Sequence, residues 1–88
     1  MKTHVLKTDP VPFADVVEGK KLVEIRKNDR GFEVGDILHL QETSYSSEEM
    51  AAGQPLEYTA DEVAVAVLHI ITGYGLKDGY CAMSILPL

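Results

Sequence analysis

The sequence predicts an α+β fold: a small curled sheet or barrel of about five strands, with one short helix between the first two. Two patterns carry this expectation. Apolar residues alternate at period two, most clearly at Val63, Val65 and Val67 and again at Cys81, Met83 and Ile85, which marks strands with one buried face. Helical spacing of apolar residues comes early, at Phe13, Val16 and Val17, so one helix is available to plug the sheet.

Residues 3–7 form the first predicted strand. Asp9 followed by Pro10 opens the helix, because an N-cap carboxylate suits the unpaired amides of a first turn and proline there sacrifices no hydrogen bond. Gly19 closes it by adopting the left-handed conformation. Residues 20–27 return to period two, with Val23 and Ile25 on one face and Leu22, Glu24 and Arg26 on the other. Val34-Gly35-Asp36 turns the chain into a strand over residues 37–42. The 17 residues from Thr43 to Thr59 show no strand pattern and read as a mobile loop, although Ser46 and Glu49 are spaced as a capping box for one helical turn before Gly53. A long strand over residues 60–72, a glycine-rich loop that leaves Tyr74 free for stacking, and a closing strand over residues 80–86 complete the chain.

A chain of 88 residues buries only about 60–65 % of the surface its unfolded form exposes, so residues 1–88 make one domain with one modest core. Its 45 % hydrophobic and 25 % charged content excludes a disordered or fibrous chain. The N-terminus lacks the apolar run of a signal peptide, and no stretch reaches the roughly 20 apolar residues that span a bilayer. A single cysteine, Cys81, permits no internal disulfide. These features point to a cytoplasmic protein with no membrane partner. The net charge of −6 argues against a protein that holds nucleic acid mainly by neutralising phosphates. Yet the charge is uneven: residues 1–30 carry seven Lys and Arg against five Asp and Glu, and residues 31–88 carry one against nine. An anionic ligand would therefore approach the N-terminal third, while the acidic remainder serves equally well as a solubilising surface.

Lys21, Glu24, Arg26, Lys27, Asp29 and Arg30 place six ionic side chains within ten positions. Glu24 and Arg26 share strand parity and project about 7 Å apart from one face, within reach of one ligand or of each other. The plain alternative is a solvated face carrying an ion pair worth about 0–1 kcal/mol.

The run Gly19-Lys20-Lys21-Leu22-Val23-Glu24-Ile25-Arg26 is similar to the G-x-K-x-x-E-x-R signature of the ASCH domains, a branch of the PUA-like superfamily. Its continuation Lys27-Asn28-Asp29-Arg30, then Phe32 and Val34-Gly35-Asp36-Ile37-Leu38, and the later Gly73-Tyr74-Gly75-Leu76-Lys77-Asp78-Gly79-Tyr80, resemble an ASCH-related family of small bacterial and phage proteins of unknown function. The resemblance covers essentially the whole chain. It implies a PUA-like β-barrel with a cleft beside the helix that binds RNA or a nucleotide-like molecule, and Lys21, Glu24 and Arg26 as the residues lining that cleft. Asn28, Arg30 and Tyr74 extend the expected ligand-binding set. Lys21 poses a geometric problem, because on a regular strand it points away from Glu24. Either the chain bends near Gly19 or Lys21 reaches round from the helix end.

Three functional classes follow. In a binding module, Arg26 and Lys21 meet anionic or carbonyl oxygens while Glu24 accepts hydrogen bonds from base amino groups. The second class is a small amidohydrolase acting on a modified nucleoside. Some single-domain ASCH proteins that resemble this one remove an acetyl group from acetylated cytidine, using a lysine, a threonine nucleophile and a glutamate. Here Glu24 stands in the place of the threonine, and a carboxylate holds a water or moves a proton but does not replace a hydroxyl nucleophile. Lys21 and Glu24 would then be the catalytic pair, and binding is the expected role ahead of catalysis. The third class is a protein-interaction domain using the acidic segment 42–57 and exposed strand edges.

No cofactor or metal is called for: His4, His39 and His69 are scattered and Cys81 has no partner cysteine, whereas a metal site needs three or four convergent ligands. His69, in step with Val65 and Val67, is expected to be partly buried and hydrogen-bonded, and Cys81 to be a buried, inert thiol. Among Tyr45, Tyr58, Tyr74 and Tyr80, only the glycine-flanked Tyr74 suits stacking on a base.

Overall fold

Five strands and two helices follow one another as β1 (Thr3–Thr8), α1 (Pro10–Val17), β2 (Val23–Lys27), β3 (Ile37–Thr43), α2 (Ser47–Ala51), β4 (Tyr58–Ile71) and β5 (Tyr80–Pro87) in a computed structural model that describes residues 1–88. The strands make one sheet in the order β1-β3-β4-β5-β2. β1 and β3 run parallel and the other neighbours antiparallel. α1 therefore carries the chain from one edge of the sheet to the other. No helix is long and apolar enough to cross a membrane.

The α+β expectation holds, but the sheet is a curled half-barrel rather than a closed barrel. Its curl follows from β4, whose register shifts once opposite Gln41–Thr43 and once between Val67 and His69. Bulges of this kind sharpen local twist and bend the strand, and Ala60, at φ 78°, lies in the first irregular stretch. The bending brings β1 and β2 close enough for side chains to cross between them, yet the two edges share no backbone ladder.

The inner face is apolar where the alternation predicts it. Leu6 of β1, Leu38 and Leu40 of β3, Val65 and Val67 of β4, and Cys81, Met83 and Ile85 of β5 are buried together, and Phe13 and Val16 of α1 close over them. Burial also pushes the Cys81 thiol pKa up, as expected of an inert cysteine. His69 departs from the expectation. The bulge after Val67 reverses the parity of β4, so that Ile70 packs against the core and His69 is exposed.

Two further differences concern the helices. Asp9 occupies the N-cap of α1, but its carboxylate makes no capping bond. It accepts instead from Ser47 N at 3.1 Å and from Ser47 Oγ at 2.8 Å, which fastens α2 to the start of α1. The segment read as a mobile loop holds α2, because the capping box does form: Glu49 N donates to Ser46 Oγ at 3.1 Å and Ser46 N to Glu49 Oε1 at 3.0 Å.

A buried polar pair anchors the opposite end of β1. His4 Nε2 lies 2.9 Å from Asp36 Oδ2, and since an ionised carboxylate only accepts, the ring nitrogen donates. Asp36 also accepts from Lys2 N and Glu33 N, each at 2.9 Å. The His4 hydrogen bond first, then that of the Lys2 amide, hold the Asp36 pKa down from 3.8 to about 2, outweighing the burial that pushes it up. A carboxyl whose folded pKa lies below its unfolded value contributes stability that is complete above the unfolded value and disappears as pH falls through the folded one. Asp36→Asn is therefore expected to melt below the wild type at neutral pH, with the gap between the two curves closing between pH 4 and pH 2. Parallel melting curves over that range would show that Asp36 is not the source of the acid sensitivity.

Candidate functional site

The chain leaves α1 through Gly19, whose φ of 76° a residue with a side chain would resist. Lys20 N and Lys21 N both donate to Asp15 O, at 2.8 and 3.0 Å, and β2 begins only at Val23. Lys21 thus sits in a bend ahead of the strand, and its Nζ reaches Glu24 Oε2 at 2.5 Å. This settles the parity problem in favour of a bend after Gly19.

The alternation along β2 is as read, and its orientation is the reverse of a core strand. Glu24 is only 4 % exposed and faces inward, whereas Val23 and Ile25 are 40 % and 55 % exposed. β2 borders the gap between the sheet edges, so its inner side looks onto polar groups rather than onto the core. Arg26 spans that gap. Its Nη1 donates to Lys7 O at 3.0 Å, and its Nη2 to Thr8 Oγ1 at 3.2 Å and to Glu24 Oε1 at 3.4 Å. One guanidinium thereby joins β2 to β1 and flanks the buried carboxylate that Lys21 holds from the other side.

A cleft of about 330 Å³ opens over this group at the seam, with Lys7, Thr8 and Asp9 on the β1 side and Lys21, Glu24 and Arg26 on the β2 side. Ser47 and Pro12 form its rim toward the helices. The cleft therefore offers cations, a hydroxyl and a shielded acceptor within one concavity. No three His, Cys, Asp or Glu side chains converge to hold a metal ion.

Residues 3–85 match a family model described as a domain of unknown function, DUF3850. The chain belongs to the DUF3850 family. No curated protein matches it.

In this DUF3850 domain the predicted site residues fall into separate groups. Lys21, Glu24 and Arg26 come together in the seam cleft. Asn28 lines a second concavity of about 330 Å³ with the loop between β4 and β5. Its backbone N donates to Gly79 O at 2.7 Å and its Oδ1 accepts from Phe32 N at 3.2 Å, so part of its hydrogen-bonding capacity shapes the turn after β2. Arg30 lines a third, of about 200 Å³, lower in the seam. Tyr74 lines none of these and is 94 % exposed. With φ of 51° at Tyr74, 88° at Gly75 and a 3.0 Å bond from Leu76 N to Gly73 O, its loop is a type I′ turn. A tyrosine held at positive φ costs about 1 kcal/mol.

Sequence reasoning missed Lys7, Thr8, Asp9 and Ser47 in the DUF3850 cleft. One signal was available for Thr8: it is the next inward position after His4 and Leu6 on β1, and a polar residue there marks where the core gives way to the cleft.

Proposed function

We propose that this DUF3850 domain is a binding module whose seam cleft accepts a nucleotide, either free or as one unit of single-stranded RNA. The observation that carries the reading is the Glu24 carboxylate, buried at the foot of the cleft between Lys21 and Arg26. Its contact with Arg26 is long at 3.4 Å, which leaves an oxygen with capacity to accept from a base amino group. A volume of about 330 Å³ lies at the small end of ligand pockets and suits one nucleoside unit rather than folded RNA. The kinship with PUA-like, ASCH-related domains is part of this proposal; it is supported by the G-x-K-x-x-E-x-R residues Lys21, Glu24 and Arg26 forming one wall of the cleft. A cytoplasmic location is part of the same proposal, supported by the single free cysteine, Cys81, which suits a reducing compartment.

The experiment is a thermal-shift and NMR titration with nucleosides, modified nucleosides and short RNA. Shifts grouped on Lys21, Glu24, Arg26 and Thr8 are the expected result. Silence across the panel would sink the reading and turn attention to a protein partner for the acidic segment 42–57. A second reading, hydrolysis of an acylated nucleoside, is favoured by the contact of Lys21 with Glu24, which sets an ammonium and a carboxylate side by side at the foot of the cleft, the residue types general acid–base chemistry uses. It fails if acylated nucleosides bind in the same titration and are recovered unchanged.

A further inference from the structure

We infer that the pocket bounded by Leu6, Arg26, Lys27, Asp29, Arg30 and Phe32 is a phosphate subsite, so that the ligand is a nucleotide and not a free nucleoside. This rests on the cleft being the nucleoside site. Arg26 borders both concavities, which places this pocket next to whatever fills the cleft.

Charge and preorganisation point to an anion. The lining holds three cationic residues, Arg26, Lys27 and Arg30, against one acidic residue, Asp29. Arg30 Nη1 donates to Val5 O at 2.9 Å. A neutral carbonyl fixes the guanidinium in place without cancelling its charge, and most of its five N–H groups stay available for an incoming oxyanion. Neither Arg30 nor Lys27 is paired with a carboxylate, in contrast to Lys21 and Arg26. Buried Leu6 and Phe32 add an apolar floor, against which a charge-assisted bond is stronger than in open water.

The distribution of charge over the molecule agrees. Lys7, Lys21, Arg26, Lys27, Arg30 and Lys77, six of the eight Lys and Arg residues, line the three concavities. Only four of the fourteen acidic residues do so, namely Asp9, Glu24, Asp29 and Asp78. A protein with a net charge of −6 thus gathers three quarters of its basic residues around its pockets, where they attract anions locally.

The test is an NMR titration at low ionic strength with the four ribonucleosides, their 5′- and 3′-monophosphates, and a ribotetranucleotide of mixed sequence. For a base that binds, a monophosphate is expected to bind about tenfold tighter than its nucleoside or better. Arg30→Gln and Lys27→Gln should each pull that ratio toward one. Lys27 makes no internal side-chain bond, so its variant keeps the test valid if Arg30→Gln unfolds. A tetranucleotide that binds tighter than any monophosphate assigns the phosphate to a strand; equal affinity assigns it to a free nucleotide. Nucleosides that bind as tightly as monophosphates, or a ratio unchanged in both variants, overturn the subsite and leave the cleft standing. Failure of every probe overturns both.

Discussion

Glu24→Ala is expected to lower the unfolding free energy by about 2–3 kcal/mol and to abolish ligand shifts in the seam cleft. The side chain is 5 % exposed and holds Lys21 and Arg26, each 25 % exposed, on its two sides. Removing the anion leaves two poorly hydrated cations facing each other. Breaking a fully buried pair costs about 3–5 kcal/mol, and the residual exposure of the cations lowers the figure here. Lys20 and Glu18 provide the contrast: at 70 % and 55 % exposure, their pair is screened, and its loss should change stability by less than about 0.5 kcal/mol. Glu24→Gln preserves volume and one acceptor, so it should lose less stability than the alanine variant while still losing the ligand. Denaturant unfolding of both variants checks this. A Glu24→Ala protein as stable as wild type would show that the carboxylate is not needed by the fold and is present only for the ligand.

Leu38→Ala should cost more, about 3–4 kcal/mol. Leu38 is wholly buried on β3, an interior strand, opposite His4 on β1 and Val65 on β4. Emptying that position leaves a cavity bounded by three strands that cannot all move inward, and such sites fall in the upper part of the range for leucine truncation. A domain of this size holds about 4–13 kcal/mol in total, so the variant loses about a quarter or more of its stability. Its thermal midpoint should drop by about 15–25 °C. A loss below about 1 kcal/mol, with an unchanged denaturant slope, would mean that the neighbouring strands close the gap.

The parts of this fold that were legible are those where one residue type repeats on one face. The series Val63, Val65, Val67 and Cys81, Met83, Ile85 announced two central strands, and Ser46 with Glu49 announced the turn of helix in the segment otherwise read as a loop. What stayed hidden depends on contacts distant in the chain. The bulge that turns His69 outward is a property of the β4–β5 pairing. The bond of His4 to Asp36 spans 32 residues, and that of Asp9 to Ser47 spans 38. The site was half legible for a related reason. Period two showed that Glu24 and Arg26 share a face, but which face turns inward depends on β2 lying at an open edge, and nothing within residues 20–27 encodes that. Whether the sheet closes was equally hidden, since closure is set by the accumulated curl of all five strands rather than by any one of them.

The strand order has a consequence for how the chain can acquire its structure. β5 comes last of the five strands in the chain and yet lies in the interior of the sheet, between β4 and β2. β2, formed from residues 23–27, has no hydrogen-bonding neighbour until residues 80–84 are present. During synthesis the segment bearing Glu24 and Arg26 must therefore wait, with its backbone unpaired, while about fifty further residues emerge. Assembly is deferred to the end and depends on a distant pairing, the condition under which small sheet proteins fold slowly. The seam cleft cannot exist on a nascent fragment; it forms in one step with the last strand.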